Sequence, residues 1–204
     1  MQNASGIILA GGRGSRIKRN KALIKLPDGR ALIQRSIGVL KEIFPEILIV
    51  ANQTEVYRVF GVRVVEDLVK GKGPLGGIFT GLKYSTSHLN FVMGCDMPFP
   101  QPALIHLLLE ECSDYDVVIP EAAGEVEPLF AVYSKSCLPV IKDHLQKDKL
   151  KVRNVLTELR VRKISEEEIK SVDPERLSFF NVNTDEDLVM ARTLLQASKS
   201  DEQR

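Results

Sequence analysis

Arg13, Arg16, Lys18, Arg19 and Lys21 fall within nine positions, directly after a glycine-rich turn (Gly11, Gly12, Gly14) that closes the aliphatic run Ile7–Ala10. Glycines behind a strand let backbone N–H groups approach phosphate oxygens without a Cβ in the way, and the basic residues add countercharge. A turn that needs only positive φ has no use for five cations, so the pattern points to a small anionic ligand. Two familiar phosphate loops are excluded. GxxxxGK[ST] is absent, and Gly12-x-Gly14 lacks the third glycine of the dinucleotide fingerprint. Lys21 stands out because the apolar segment Ala22–Leu26 follows it directly, which fixes its backbone and aims its ammonium at one place. Arg13, Lys18 and Arg19 also fit plain surface charge.

The elements that position these residues follow from hydropathy. SGIILAG (5–11) is a nearly continuous aliphatic run, as expected of a strand covered on both faces. Further strands are expected at 46–51, 62–67, 89–96, 115–121, 127–134 and 160–164, with a short one at 180–182. Helical spacing marks 31–44, the IFTGLKYS stretch after Gly76 and Gly77, 103–112, 135–147, 152–159 and a last helix from Thr184. Such alternation predicts an α/β fold with a mainly parallel sheet and helices on both faces. Ligands of open sheets of this kind bind beyond the carboxyl ends of the strands. The Gly/Arg loop, Asn52, Asp67 and Asp96 each follow a predicted strand.

The 204 residues, 44% hydrophobic, suit one globular domain over 1–196, with ASKSDEQR (197–204) as a disordered tail. The net charge of +1 conceals an asymmetry. Residues 1–30 hold seven Lys/Arg against one Asp (+6), residues 147–163 hold seven against two acids (+5), and the remainder sums to −10. Two compact basic clusters on an acidic body favour small anionic ligands over nucleic acid. No apolar run approaches a membrane span, and no basic n-region precedes the short IILA run. Cys95, Cys112 and Cys137 are odd in number and scattered, which fits reduced thiols in a cytoplasmic protein. His88, His106 and His144 are equally scattered and form no ligand set.

The opening stretch also resembles a named family. LAGG (Leu9–Gly12), Arg16 and Lys21-Ala22-Leu23 are similar to LAGGxSxRMGxDKALL, the signature of nucleotidyltransferases related to molybdenum cofactor guanylyltransferase. Ile17, Lys18 and Asn20 stand where that form has Met, Gly and Asp, and Ser15 is shifted by one. Four more stretches match in order: the Asp67-to-GPLGGI segment (66–78), GCDMPF (94–99), EPLFAVY (127–133) and NVNTDEDL (181–188). The resemblance therefore covers almost the whole chain, and the GPLGGI form favours the guanylyl branch over the cytidylyl one.

The resemblance implies a Rossmann-like three-layer αβα nucleotidyltransferase fold and the transfer of GMP from GTP to molybdopterin or Mo-molybdopterin, with release of pyrophosphate. It implies that Leu9, Ala10, Gly11 and Gly12 contact GTP, that Lys21 neutralises its phosphates, and that Arg16 serves either phosphate. Asn52 and Asp67 would read guanine or ribose, or else be a strand-ending turn residue and a solvated acid. Asp96 would hold a Mg²⁺ ion, with water completing the octahedron, or else open the turn before Pro98. Gly73, Gly76, Gly77, Arg153, Asn181 and Asn183 would face molybdopterin. Gly77 and Gly81 also fit helix packing, and Thr184 with Asp187 fits a capping box on the last helix. Partners implied are proteins of molybdopterin synthesis or insertion and a molybdoenzyme. Transfer of CMP, a sugar 1-phosphate acceptor, and a nucleotide-binding module without turnover remain the competing readings.

Overall fold

A computed structural model describes residues 3–11 and 21–201, and side chains as far as Ala197. Strands β1 (Ala4–Ala10), β2 (Glu46–Ala51), β3 (Arg63–Glu66) and β4 (Leu89–Gly94) are followed by β5 (Val117–Ala122), β6 (Glu125–Val126), β7 (Phe130–Ser134) and β8 (Val161–Ile164). Helices are α1 (Leu32–Ile43), α2 (Gly73–Tyr84), α3 (Pro102–Glu110), α4 (Leu138–Gln146), α5 (Val152–Leu156), α6 (Glu166–Val172) and α7 (Asp185–Asp201). The strands form one sheet in the order β3-β2-β1-β4-β7-β5-β6, with β8 paired to β5. β1 is parallel to β2 and β4, β2 to β3, and β5 to β8. β7 runs antiparallel to both of its neighbours, so the sheet is mixed and mostly parallel.

Side chains alternate across a strand, and here the alternation sorts the core into two layers. Ile8 of β1, Ile49 of β2 and Phe91 of β4 pack with Ile33 and Leu40 of α1, Leu104 of α3 and Ile169 of α6. Their neighbours Ile7, Leu48 and Val92 pack instead with Leu75 and Ile78 of α2, Ile141 of α4 and Val155 of α5. Both faces are covered, which is why the strands read as unbroken aliphatic runs. A third cluster seats α7, through Leu188, Ala191 and Leu195, on Leu26, Leu32 and Phe99. Among the described residues no helix is long and apolar enough to cross a membrane.

Several elements differ from the sequence reading. α2 starts at Gly73, ahead of Ile78, because Gly73 takes φ +62 and Pro74 suits the first turn. The expected strand at 180–182 does not form: Val182 is tied to the sheet by a single bond, its N–H donating to the Asp96 carbonyl at 2.9 Å. α6 and the 3-10 turn Glu55–Phe60 had no counterpart. α7 continues to Asp201, so its last turn enters the segment that composition marks as a tail. β5 and β6 form a two-residue hairpin with Ala123 (φ 53) and Gly124 (φ 75) at its tip, the backbone of a type I′ turn.

Candidate active site

Strand order reverses at β1. The chain steps outward through β2 and β3 and then returns to β1's other side as β4. In open α/β sheets such a reversal leaves a crevice beyond the carboxyl ends of the strands. Gly11, Asn52 and Asp67 stand at that edge directly after β1, β2 and β3, and Asp96 stands there two residues after β4.

Leu9 and Ala10 are buried through their side chains, so their contribution to the crevice is backbone. Gly11 is exposed, and a Cβ added to it would lie 3.5 Å from Asn52 Nδ2, so the two residues adjoin. Gly12 and Arg16 lie outside the described residues, as do Arg13, Lys18 and Arg19. The described chain resumes at Lys21, half-buried on a single 3-10 turn, Lys21–Leu23. Its Nζ donates to Asn183 Oδ1 at 2.9 Å, joining positions 162 residues apart.

Asp96 is pinned by backbone bonds on three sides. The Gly94 N–H donates to the Leu129 carbonyl and the Cys95 N–H to the Leu9 carbonyl, each at 3.1 Å, and the Asp96 carbonyl receives Val182. A Cβ on Gly94 would come within 2.7 Å of Asp96 Oδ1, so the glycine makes room for the carboxylate. Burial pushes the Asp96 carboxyl above the usual carboxylate range, against an opposing pull from Lys21. Glu127, on the turn between β6 and β7, is also raised by burial, with the Asp96 charge adding to the effect. Sequence reading gave Glu127 no role and placed it at the head of a strand over 127–134, whereas the strand starts at Phe130. For Glu127, membership of the EPLFAVY motif was the available signal. Burial also lifts the Cys95 thiol to about 12, which keeps it a neutral packing group beside this carboxylate.

The remaining residues divide. Asp67 Oδ1 accepts from Thr80 Oγ1 at 2.8 Å and from the Val69 N–H at 3.0 Å, so that oxygen braces the loop entering α2. Of the three glycines, only Gly73 is exposed. Gly76 closes on the Val69 carbonyl, where a Cβ would sit at 2.9 Å, and Gly77 closes on Leu9 at 3.2 Å. Asn181 Nδ2 donates to the Phe179 carbonyl at 3.0 Å. Asn183 and Thr184 both donate backbone N–H groups to Asp187 Oδ2 at 2.8 Å, and Thr184 Oγ1 accepts from the Asp187 N–H at 3.1 Å. The capping box on α7 therefore forms, and it orients the same segment that presents Asn183 to Lys21. Arg153 of α5 is exposed and ion-paired with Glu125 at the tip of the β5–β6 hairpin. Among the described residues, no hydrogen bond or ion pair joins it to the Lys21–Asn183 pair.

The rest of the second basic cluster is largely neutralised by partners. Lys147 pairs with Asp143, Arg160 with Asp116, Arg162 with Glu111 and Glu168, and Lys163 with Glu121. No group of three or more His, Cys, Asp or Glu residues that could hold a metal occurs among the described residues. A cation at Asp96 would therefore take most of its ligands from substrate and water, the habit of magnesium at phosphates.

A family model described as the MobA-like NTP transferase domain matches residues 6–163. A Pelotomaculum thermopropionicum protein named probable molybdenum cofactor guanylyltransferase is 42% identical over 201 residues, spanning 98% of this chain and 97% of its own. The molybdenum cofactor guanylyltransferase of Desulfosudis oleivorans is 37% identical over 98% of this chain and 99% of its own. The crystal structure of molybdopterin-guanine dinucleotide biosynthesis protein A from Archaeoglobus fulgidus superposes with a TM-score of 0.83 at 27% identity, covering 95% of this chain and 99% of that one.

Proposed function

The chain belongs to the MobA-like NTP transferase family, and we propose that it transfers GMP from GTP to molybdopterin, or to its molybdenum-loaded form, releasing pyrophosphate. The observation that carries this reading is the placement of a cation, Lys21, and a carboxylate, Asp96, at the reversal of strand order, where exposed Gly11 ends β1. An oxygen of the acceptor's terminal phosphate bonds the GTP α-phosphorus. The bond from that phosphorus to the bridging oxygen breaks, and its electron pair leaves with pyrophosphate. Transfer of this kind asks little covalent help of a protein, so positioning and charge neutralisation dominate.

Backbone groups of Leu9, Ala10 and Gly11 line the triphosphate; Gly12 and Arg16, given to it by the family resemblance, lie outside the described residues. Lys21 neutralises phosphate charge, held in place by the Asn183 amide. Asn52, adjoining Gly11, reads the guanine or ribose. Asp67, with Oδ1 already engaged, offers its other oxygen for the same purpose. A Mg²⁺ ion fits Asp96, a carboxylate given room by Gly94 and no ion-pair partner within 4 Å among the described residues. When bound it would supply further charge neutralisation to the phosphate oxygens. Gly73, Arg153, Asn181 and Asn183 face the acceptor, while Gly76 and Gly77 let α2 close beside it. The protein partners on this reading are those that deliver molybdopterin and receive the finished cofactor in the cytoplasm.

The test is to supply molybdopterin with each nucleoside triphosphate and follow pyrophosphate. GTP should be consumed fastest. Faster use of CTP overturns the guanylyl assignment, and turnover of none returns the binding-module reading. Asp96→Ala should abolish magnesium-dependent turnover with an unchanged circular dichroism spectrum; near-normal rates would move the metal to another group.

A further inference from the structure

Half-buried and buried acids elsewhere among the described residues are met by a basic partner or by two N–H or O–H donors. Asp28 pairs with Arg35, Glu46 with Arg63 and Asp116 with Arg160. Asp67, Asp173 and Asp187 lack an ion pair but each accepts from two donors, whereas Asp96 and Glu127 join no ion pair within 4 Å and Glu127 accepts a single hydrogen bond among the described residues. Burying a carboxylate with so few donors is costly, and buried charges are paired, hydrogen-bonded or bound to a metal. The backbone holds the two together. The Gly94 N–H, two residues before Asp96, donates to the Leu129 carbonyl, two residues after Glu127. The Glu127 N–H donates to the Pro120 carbonyl at 3.0 Å, and its own carbonyl accepts from Phe130 at 3.2 Å, so the turn is fixed at both ends. One carboxylate oxygen, Oε1, accepts from the Leu129 N–H at 3.2 Å. Among the described residues Oε2 takes no hydrogen bond.

We propose that Glu127 is a second carboxylate for the divalent cation held by Asp96, acting on the ion through Oε2 while Oε1 fixes the side chain to its turn. This rests on the nucleotidyl-transfer reading above. It assigns Glu127 to the cation rather than to guanine or pterin, and it gives the Gly94–Leu129 bond a purpose: it sets the spacing of two carboxylates contributed by different turns.

The experiment follows free Mn²⁺ by electron paramagnetic resonance as the intact protein, saturated with GTP, is titrated with Mn²⁺. Wild type is compared with Glu127→Gln, Glu127→Asp and Asp96→Asn, and GTP affinity is measured separately in EDTA. Glu127→Gln keeps the shape and the Leu129 acceptor. It should weaken Mn²⁺ binding tenfold or more while leaving GTP affinity in EDTA within twofold, and Glu127→Asp should recover part of the loss. A Glu127→Gln protein that binds Mn²⁺ like wild type, beside an Asp96→Asn protein that does not, overturns the role of Glu127 and leaves the transferase reading standing. A wild-type protein that binds no Mn²⁺ with GTP overturns both. Loss of GTP affinity in EDTA by Glu127→Gln assigns the residue to the nucleotide and overturns the proposal.

Discussion

Lys21 is half-buried, and its ammonium reaches one identified acceptor, Asn183 Oδ1. An ammonium fixed before substrate arrives loses little side-chain freedom when phosphate binds, so its contribution should be that of a charged hydrogen bond. Lys21→Ala should weaken GTP binding by about 1.5–3 kcal/mol, read by calorimetry. Asn183→Ala, which frees the ammonium without removing it, should cost less. Equal losses would mean that the amide touches the nucleotide itself. At this scale the sequence was informative where one residue type followed one strand end. It was silent on pairing. Nothing in the spacing announces that Lys21 meets Asn183, that Arg153 meets Glu125, or that Glu127 lies near Asp96, because each contact spans elements whose neighbours are set only by sheet order.

Elements were legible in proportion to their burial. Strands covered on both faces announce themselves as aliphatic runs, and so β1, β2 and β4 were readable to within a residue or two. Strand direction leaves no trace in hydropathy, which is why the antiparallel run of β7 came only with the structure. α6 was missed because three consecutive glutamates obscure a helix with a single buried residue, Ile169. Its Ser165 capping box was the overlooked sign. Two helical glycines show how packing decides their worth. In α2, a Cβ on Gly81 would fall 2.7 Å from Ile7 Cγ2 in the central strand, so Gly81→Ala should destabilise by about 1–3 kcal/mol. In α1, exposed Gly38 has nothing within 4 Å of its missing Cβ, and Gly38→Ala should stabilise by about 0.5–1 kcal/mol. Urea melts of the two variants should move in opposite directions.

Across the whole molecule, near-neutral charge comes from local pairing, and this shapes its response to acid. Hydrogen bonds from Arg160, with help from Ser136, hold Asp116 well below the usual carboxylate range, joining β5 to the start of β8. A carboxyl depressed in the folded state contributes stability above its unfolded value, near 3.9, and loses it as pH falls towards the folded value. Asp116→Ala should therefore cost about 1–3 kcal/mol at pH 7, with exposed Arg160 partly screened by water, and progressively less below pH 4. Denaturant titrations at pH 7, 4 and 2.5 would show the gap closing; a constant gap would mean that shape rather than charge sets the loss. The general architecture and the crevice at its carboxyl edge were recoverable from strand–helix alternation alone, whereas the charge balance needed the partners. One further result follows from the backbone bond between Val182 and Asp96. The matched family region stops at residue 163, yet the N–H bound to the Asp96 carbonyl and the acceptor that holds Lys21 come from 182 and 183. Trimming a gene to that matched block would give a product that keeps Lys21 and Asp96 but loses the keystone that ties both down, so hybrid enzymes built from this chain must inherit the stretch leading into α7.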